Sequence, residues 1–186
     1  MRGRLAVLLC AVLLLCGCKN TNKSLDKALA IRNKIQTGNG CSFTTTINAD
    51  YGEKLYTFKM NCLLDQAGNL TFSVLEPATI HGITGKVSVA GGAITFDDKI
   101  LAFPTIADGQ VTPVSAPWLL IKTLRSGYIK GCAELEDGFE ISIDDSYEEE
   151  SLFMQIEAKK DIPISAEIFW QGRRILTLSI EEFTYL

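Results

Sequence analysis

The chain is poor in the residues that most often carry chemistry. A single histidine, His81, stands in 186 residues, which excludes paired-histidine metal sets. No serine elbow or glycine-rich phosphate loop accompanies it, so within Ile80-His81-Gly82 it reads as an ordinary loop residue. Cys-x-x-Cys pairs are missing as well, and zinc has no ligand set. Asp144, Asp145, Glu148, Glu149 and Glu150 lack the glycine and oxygen periodicity of a calcium loop and read as a solvated turn. Glu134 and Glu136 fall where strand alternation points them outward, leaving general acid–base chemistry without a recess. Basic charge is also scarce: 18 Lys and Arg against 22 Asp and Glu give a net charge of -4, which argues against nucleic acid as a partner. No cofactor motif is present, no internal repeat interrupts the chain, and nothing argues for an enzyme.

What is present begins at the N-terminus. Arg2 and Arg4 precede an apolar run from Leu5 to Leu15, and Leu15-Cys16-Gly17-Cys18 closes it with a small residue and a cysteine. This order is that of a lipoprotein signal peptide, residues 1–17, cut before a lipidated Cys18. The run is too short to span a bilayer, which takes about 20 apolar residues. Two acyl chains such as palmitate on one cysteine suffice for stable anchoring. The expected location is therefore extracytoplasmic, on a membrane surface. Losing Arg2 and Arg4 leaves 16 basic against 22 acidic residues, so attachment rests on the acyl chains and not on a polybasic patch. Residues 18–23 form a short tether, and residues 24–186 are long enough for one domain.

Ser24 is a fair N-cap for a helix carrying Leu25, Ala28, Leu29, Arg32 and Ile35, stopped by Gly38 and Gly40. From Cys41 the period changes to two and stays there, with turn signals at Tyr51-Gly52, Ala67-Gly68-Asn69, Gly91-Gly92, Glu136-Asp137-Gly138 and Gln171-Gly172-Arg173. This pattern predicts an antiparallel meander. A two-residue loop at Tyr51-Gly52 would pair Phe43 with Met60, Thr45 with Phe58 and Ile47 with Tyr56, so that the apolar faces coincide. A three-residue loop at Gln171-Gly172-Arg173 would set Ile164 against Ile180, Ala166 against Leu178 and Ile168 against Leu176. Another at Glu136-Asp137-Gly138 would bring Leu135 against Phe139 and Ala133 against Ile141. One helix interrupts the strands, starting at Ser115 or Pro117 and running through Trp118, Leu119, Leu120, Ile121 and Leu124. It is apolar around most of its first turn and needs cover. The expected fold is α+β: a curved antiparallel sheet forming an incomplete β-barrel wrapped around two or more helices.

The Tyr51-Gly52 register also sets Cys41 opposite Cys62 on the apolar face, and export favours oxidation. A disulfide between Cys41 and Cys62 is expected, closing a loop of about 20 residues for roughly 3 kcal/mol. Cys132 is left over.

A lipidated cysteine, a first helix and a meander reading Tyr56-Thr57-Phe58, Leu70-Thr71-Phe72-Ser73-Val74, Pro77 to Ile83 and Ile162-Pro163 through Ala166-Glu167-Ile168 to Phe183 together resemble the LolA/LolB lipoprotein-carrier superfamily. The resemblance covers most of residues 24–186. It implies a LolA-like half-barrel that holds acyl chains in its concavity. A germination lipoprotein of spore formers is also similar, which implies instead partnership with a cell-wall amidase. Carriers of the LolA type latch a helical lid with an arginine on an early strand, and residues 41–48 and 54–62 contain none.

Two readings follow. In one, Phe43, Ile47, Phe58, Met60, Phe72, Val74 and Trp118 line a cavity for a lipid or lipoprotein acyl chain. In the other, the same residues pack a solid core and the outer surface binds a cell-envelope enzyme. Both keep the chain on the membrane, and Cys18→Ala is expected to abolish fatty-acid labelling and membrane retention together. Labelling that survives Cys18→Ala would overturn the assignment.

Overall fold

Period-two alternation from Gly40 onward builds eleven strands, β1 (Gly40–Asp50), β2 (Leu55–Asp65), β3 (Leu70–Glu76), β4 (Thr84–Ser88), β5 (Gly91–Phe96), β6 (Lys99–Ile100), β7 (Tyr128–Leu135), β8 (Gly138–Asp144), β9 (Phe153–Lys159), β10 (Ile162–Trp170) and β11 (Arg173–Tyr185). The computed structural model describes residues 21–88, 91–96, 99–100, 107, 111–148 and 150–186. The expected signal peptide, Cys18 and the start of the tether lie outside them. Two meanders, β1 to β6 and β7 to β11, join where β1 pairs with β11, giving the order β6-β5-β4-β3-β2-β1-β11-β10-β9-β8-β7. Among the described residues β6 and β7 do not pair with each other, so the sheet stays open. Helices α1 (Thr21–Thr37) and α2 (Ala116–Ser126) pack against it. This is the α+β half-barrel expected from the sequence.

Three turns decide the registers, and each differs instructively from expectation. Between β1 and β2 the strands meet at Asp50 and Leu55, which pairs Phe43 with Cys62, Thr45 with Met60 and Ile47 with Phe58. The loop residues are Gly52 and Glu53, with Tyr51 N–H donating to Lys54 O at 2.9 Å. Gly52 has φ +90°, a value that suits glycine as the first residue of the loop. The expected pairing was displaced by two positions, which keeps every side chain on its face. It does, however, move Cys41 opposite Leu64. Cys41 and Cys62 therefore sit diagonally rather than face to face, and the expected disulfide is absent: Cys41, Cys62 and Cys132 are free thiols.

At the β7–β8 turn the loop is Glu136-Asp137, so Leu135 meets Gly138, Glu134 meets Phe139 and Cys132 meets Ile141. This one-residue difference does turn the faces over. Leu135 is 41% exposed, and Glu134 shares the inner face with buried Phe139. The expectation that Glu134 points outward is corrected. Gly138 serves close approach: a Cβ there would lie 2.4 Å from the Ala158 carbonyl oxygen. At the β10–β11 turn Ala166 meets Leu178 and Ile168 meets Leu176 as expected, by another route. Gln171 and Gly172 form a two-residue turn with φ of 48° and 78°, and a bulge next to Phe169 restores the inner pairing. Gly91 and Gly92 pair within β5 and do not form a turn.

α1 begins at Thr21, ahead of the expected start, so Ser24 is a residue of its first turn. Its sheet-facing positions are Ser24, Ala28, Ile31 and Ile35, all buried, whereas Leu25 and Leu29 are exposed. α2 occupies the expected span with Pro117 near its N-terminus, and Leu119, Leu120, Ile121 and Leu124 are all buried. One arginine joins the helices. Arg32 Nε donates to Leu124 O at 2.9 Å, and its terminal nitrogen donates to Gly127 O at 2.7 Å. Both acceptors lie at the C-terminus of α2, where carbonyls lack helical partners and a cation is favoured.

Two expectations follow. Arg32→Ala should cost about 2 kcal/mol in urea unfolding, because two charged hydrogen bonds to backbone acceptors are lost. Arg32→Lys should recover less than half of that, since one ammonium cannot span both carbonyls as a planar fork does. Burial pushes the Cys41 thiol up to about 12 from 9.0 and raises Cys62 as well. The native state then holds these protons more tightly than the unfolded chain. Their contribution to stability is intact below pH 9 and is lost as pH rises toward 12. An alkylating reagent at pH 8 should modify half-buried Cys132 first and reach Cys41 and Cys62 only after denaturation. Peptide mapping that finds Cys41 bonded to Cys62 would contradict this.

Candidate functional site

Alternation delivers six of the seven candidate cavity residues to one place. Phe43 and Ile47 come from β1, Phe58 and Met60 from β2, Phe72 and Val74 from β3, and the pairing sets them in cross-strand rows. Phe43, Cys62 and Phe72 form one row, and Thr45, Met60 and Val74 another. The concave face is thus apolar and continuous. It is also filled: these six residues range from 0% to 8% exposed. They merge into a single core with Ala28, Ile31 and Ile35 of α1 and Leu120 and Leu124 of α2. Phe43 stacks on Phe183 with ring centroids 5.5 Å apart, and Thr45, fully buried among them, donates to Ser179 O at 2.9 Å. These candidate residues are therefore neighbours within one buried cluster.

The seventh, Trp118, stands apart on α2. Its indole Nε1 donates to Gly68 O at 3.1 Å, and Lys122 Nζ lies 5.7 Å from its ring centroid. Trp118, Ile121, Leu64 and Ala67 line a cavity of about 360 Å³ where α2 meets the β2–β3 turn. Lys122 and Arg125 complete its rim, Arg125 being tied to Gln66 O at 3.1 Å. A wider depression of about 490 Å³ lies over the outer face of β2, β3 and β4, between Asn61, Leu63, Thr71, Ser73, Thr84 and Lys86. No group of three His, Cys, Asp or Glu side chains suited to a metal ion occurs among the described residues. His81 is exposed, with Nδ1 2.8 Å from Leu75 O.

Antiparallel order gives the half-barrel two unlike ends. Gly40, Leu186 and the β2–β3, β7–β8 and β9–β10 turns share the near end, where α1 lies. Glu134 Oε1 accepts from Ser24 Oγ at 2.8 Å and from Lys27 Nζ at 3.1 Å. Those two bonds, Ser24 first, hold the Glu134 carboxyl below its usual range. Lys34 pairs with Asp161 in the β9–β10 turn, and its hydrogen bond lowers the Asp161 carboxyl in the same way. Lys27 also covers the Phe139 ring at 5.4 Å, and Lys34 covers the Tyr185 ring at 5.3 Å. Burial, with Asp161 nearby, pushes the Tyr185 hydroxyl up, and that hydroxyl donates to Asp161 O at 2.6 Å. The partners of α1 were not evident in sequence, since Ser24 and Lys27 lie 110 and 107 residues from Glu134 and Lys34 lies 127 from Asp161.

At the far end, the β1–β2 and β10–β11 turns are joined by Arg173 and Asp50 at 2.9 Å. The Gly52 amide, foremost, and Arg173 lower the Asp50 carboxyl. Leu55 is 69% exposed there and Tyr56 is 42% exposed. Tyr56 packs edge-on against Tyr51 at 5.3 Å and stacks over Phe58 at 6.4 Å. An aromatic ladder thus climbs from buried Phe58 to exposed Tyr56.

No protein-family model and no curated protein matches this sequence. Among solved structures, the chain is similar to a LolA superfamily protein, NE2245 from Nitrosomonas europaea, at 11% identity and a TM-score of 0.47, covering 84% of this chain and 92% of that one. It is similar also to a putative outer membrane lipoprotein-sorting protein domain from Vibrio parahaemolyticus, at 9% identity and a TM-score of 0.46, covering 89% and 93%. A third similar structure is the MucA/MucB complex of Pseudomonas aeruginosa, at 7% identity and a TM-score of 0.39, covering 88% of this chain and 57% of that one. With TM-scores below 0.5, these likenesses carry nothing about this chain's family, ligand or partner.

Proposed function

We propose that this chain is a membrane-anchored, extracytoplasmic accessory lipoprotein, without enzymatic activity, that binds a protein of the cell envelope. The observation that supports this reading over an acyl-chain carrier is the filled concavity. A carrier needs an apolar hollow to receive a chain, and here Ile31, Ile35, Leu120 and Leu124 lie in one core with Phe43, Ile47, Phe58, Met60, Phe72 and Val74. The surface best suited to a partner is the far-end tip, where Leu55 and Tyr56 are exposed on opposite faces of β2 and Tyr56 packs against Tyr51.

A second reading keeps the acyl chain but moves it. Trp118, Ile121, Leu64 and Ala67 offer a smaller apolar recess with two cations at its rim, within the volume range of small-molecule sites.

Two measurements on the mature lipidated chain separate them. Native mass spectrometry in detergent should find only the covalent acyl groups, and a lipid adduct lost in Trp118→Ala would favour the recess. A photo-reactive residue at Leu55 should form adducts with a discrete envelope protein in cells. Tyr56→Ser should abolish them while lowering stability by about 1–2 kcal/mol through its lost contacts with Tyr51 and Phe58, with thermal melting confirming that the variant stays folded. Lipid bound without any partner adduct would overturn the accessory reading.

A further inference from the structure

The near end carries an apolar strip that the packing of the half-barrel does not use. Leu25 and Leu29, four residues apart on one side of α1, are 38% and 44% exposed. Leu135, 41% exposed, belongs to the same end, next to the Glu134 that holds Ser24 and Lys27. Chain length says what lies against this strip. If Cys18 is the lipidated residue, three residue steps separate it from Thr21, where α1 begins, and they reach at most about 11 Å. Four helical steps to Leu25 add about 6 Å. Leu25 is therefore held within about 17 Å of an atom buried at the bilayer surface, and Leu29 within about 23 Å.

We propose that the N-terminal half of α1 lies on the membrane, with Leu25 and Leu29 in the boundary between headgroups and acyl chains, fixing the half-barrel with its near end down. The proposal rests on the anchoring reading above. The contact is apolar. At this end Lys23, Lys27, Lys34, Lys159 and Lys160 are balanced by Asp26, Glu134, Glu136, Asp137 and Asp161, with Lys27–Glu134, Lys34–Asp161 and Lys159–Asp137 paired, so no net attraction to anionic headgroups drives it. A helix lying in the interface needs apolar side chains on one side, which this one has, and the covalent acyl chains supply the local concentration. The tip at Leu55 and Tyr56 then stands away from the bilayer by the length of β1, eleven residues or about 36 Å.

The test places a photo-reactive phenylalanine at Leu25, at Leu29 or at Leu55 of the mature lipidated chain in vesicles of phosphatidylethanolamine and phosphatidylglycerol. All three positions are exposed, and thermal melting checks that each variant folds. Phospholipid adducts are expected at Leu25 and Leu29 in about tenfold excess over Leu55. They should persist in about 1 M salt, where screening reduces charge attraction to a few ångströms. Equal yields at the three positions, or loss of the Leu29 adduct in salt, would overturn the proposal. Mass spectrometry of the N-terminal peptide separates the two levels. An unacylated Cys18 sinks the anchoring reading itself, whereas an acylated chain that stays on the vesicles without lipid adducts at Leu25 and Leu29 sinks this inference alone.

Discussion

A strongly curved sheet with one apolar face must have that face covered, and most of this structure follows from how the requirement is met. The row through Thr45 runs from Ile180 of β11 across Met60 of β2 to Val74 of β3, while Ile47 links Leu178 of β11 to Phe58 of β2. Exposed to water, such a surface would be unstable and self-associating. α2 is the counterpart: a helix with Leu119, Leu120, Ile121 and Leu124 buried together cannot stand on a surface. Helix and sheet therefore specify each other, and the open edge between β6 and β7 leaves room for the helices that a closed barrel would exclude.

The second helix is held differently. α1 buries a narrow stripe at Ser24, Ala28, Ile31 and Ile35, and polar residues on both sides of it find fixed partners. Lys27 and Lys34 engage Glu134 and Asp161 on one side, and Arg32 and Gln36 engage the end of α2 on the other. Exposed ion pairs of this sort contribute little each. Their value is geometric, because partners drawn from β7, the β9–β10 turn and α2 set the rotation and position of α1 together. Arg32 joins helix to helix, and β1 and β2 carry no arginine.

Faces were legible in the sequence wherever alternation was long and uninterrupted. Phe43, Ile47, Phe58, Met60, Phe72 and Val74 all lie inward, although the β1–β2 pairing is displaced, because a shift of two preserves the face. The same tolerance concealed the error that removed the disulfide, since Cys41 stays inward while losing Cys62 as its direct opposite. β7 was illegible for the complementary reason. Its residues are exposed on both faces, so pattern does not select a register, and Gly138 resembles a turn glycine while serving the approach of β9. α1 was misread in rotation: Leu25 and Leu29 carry the larger apolar side chains, yet the sheet accepts Ala28 and Ile31 beside buried Ser24. Hydrophobicity alone cannot foresee that a distant carboxylate, Glu134, would turn Ser24 inward.

The proposed function draws on this division between the ends. A filled core makes the half-barrel a rigid body, so a constraint applied at α1 is transmitted along the strands to the opposite turns without a hinge. Bonds at both ends reinforce that rigidity: Asn39 N–H donates to Leu186 O at 3.1 Å near the helix, and Arg173 pairs with Asp50 at the tip. A partner engaged at Leu55 and Tyr56 would meet a surface already ordered by Tyr51 and Phe58, and would lose little entropy in ordering it further. For a protein proposed to work by presenting a surface rather than enclosing a ligand, packing the concavity solid is a gain, since it turns a potential binding pocket into the stiffness that the outer face requires.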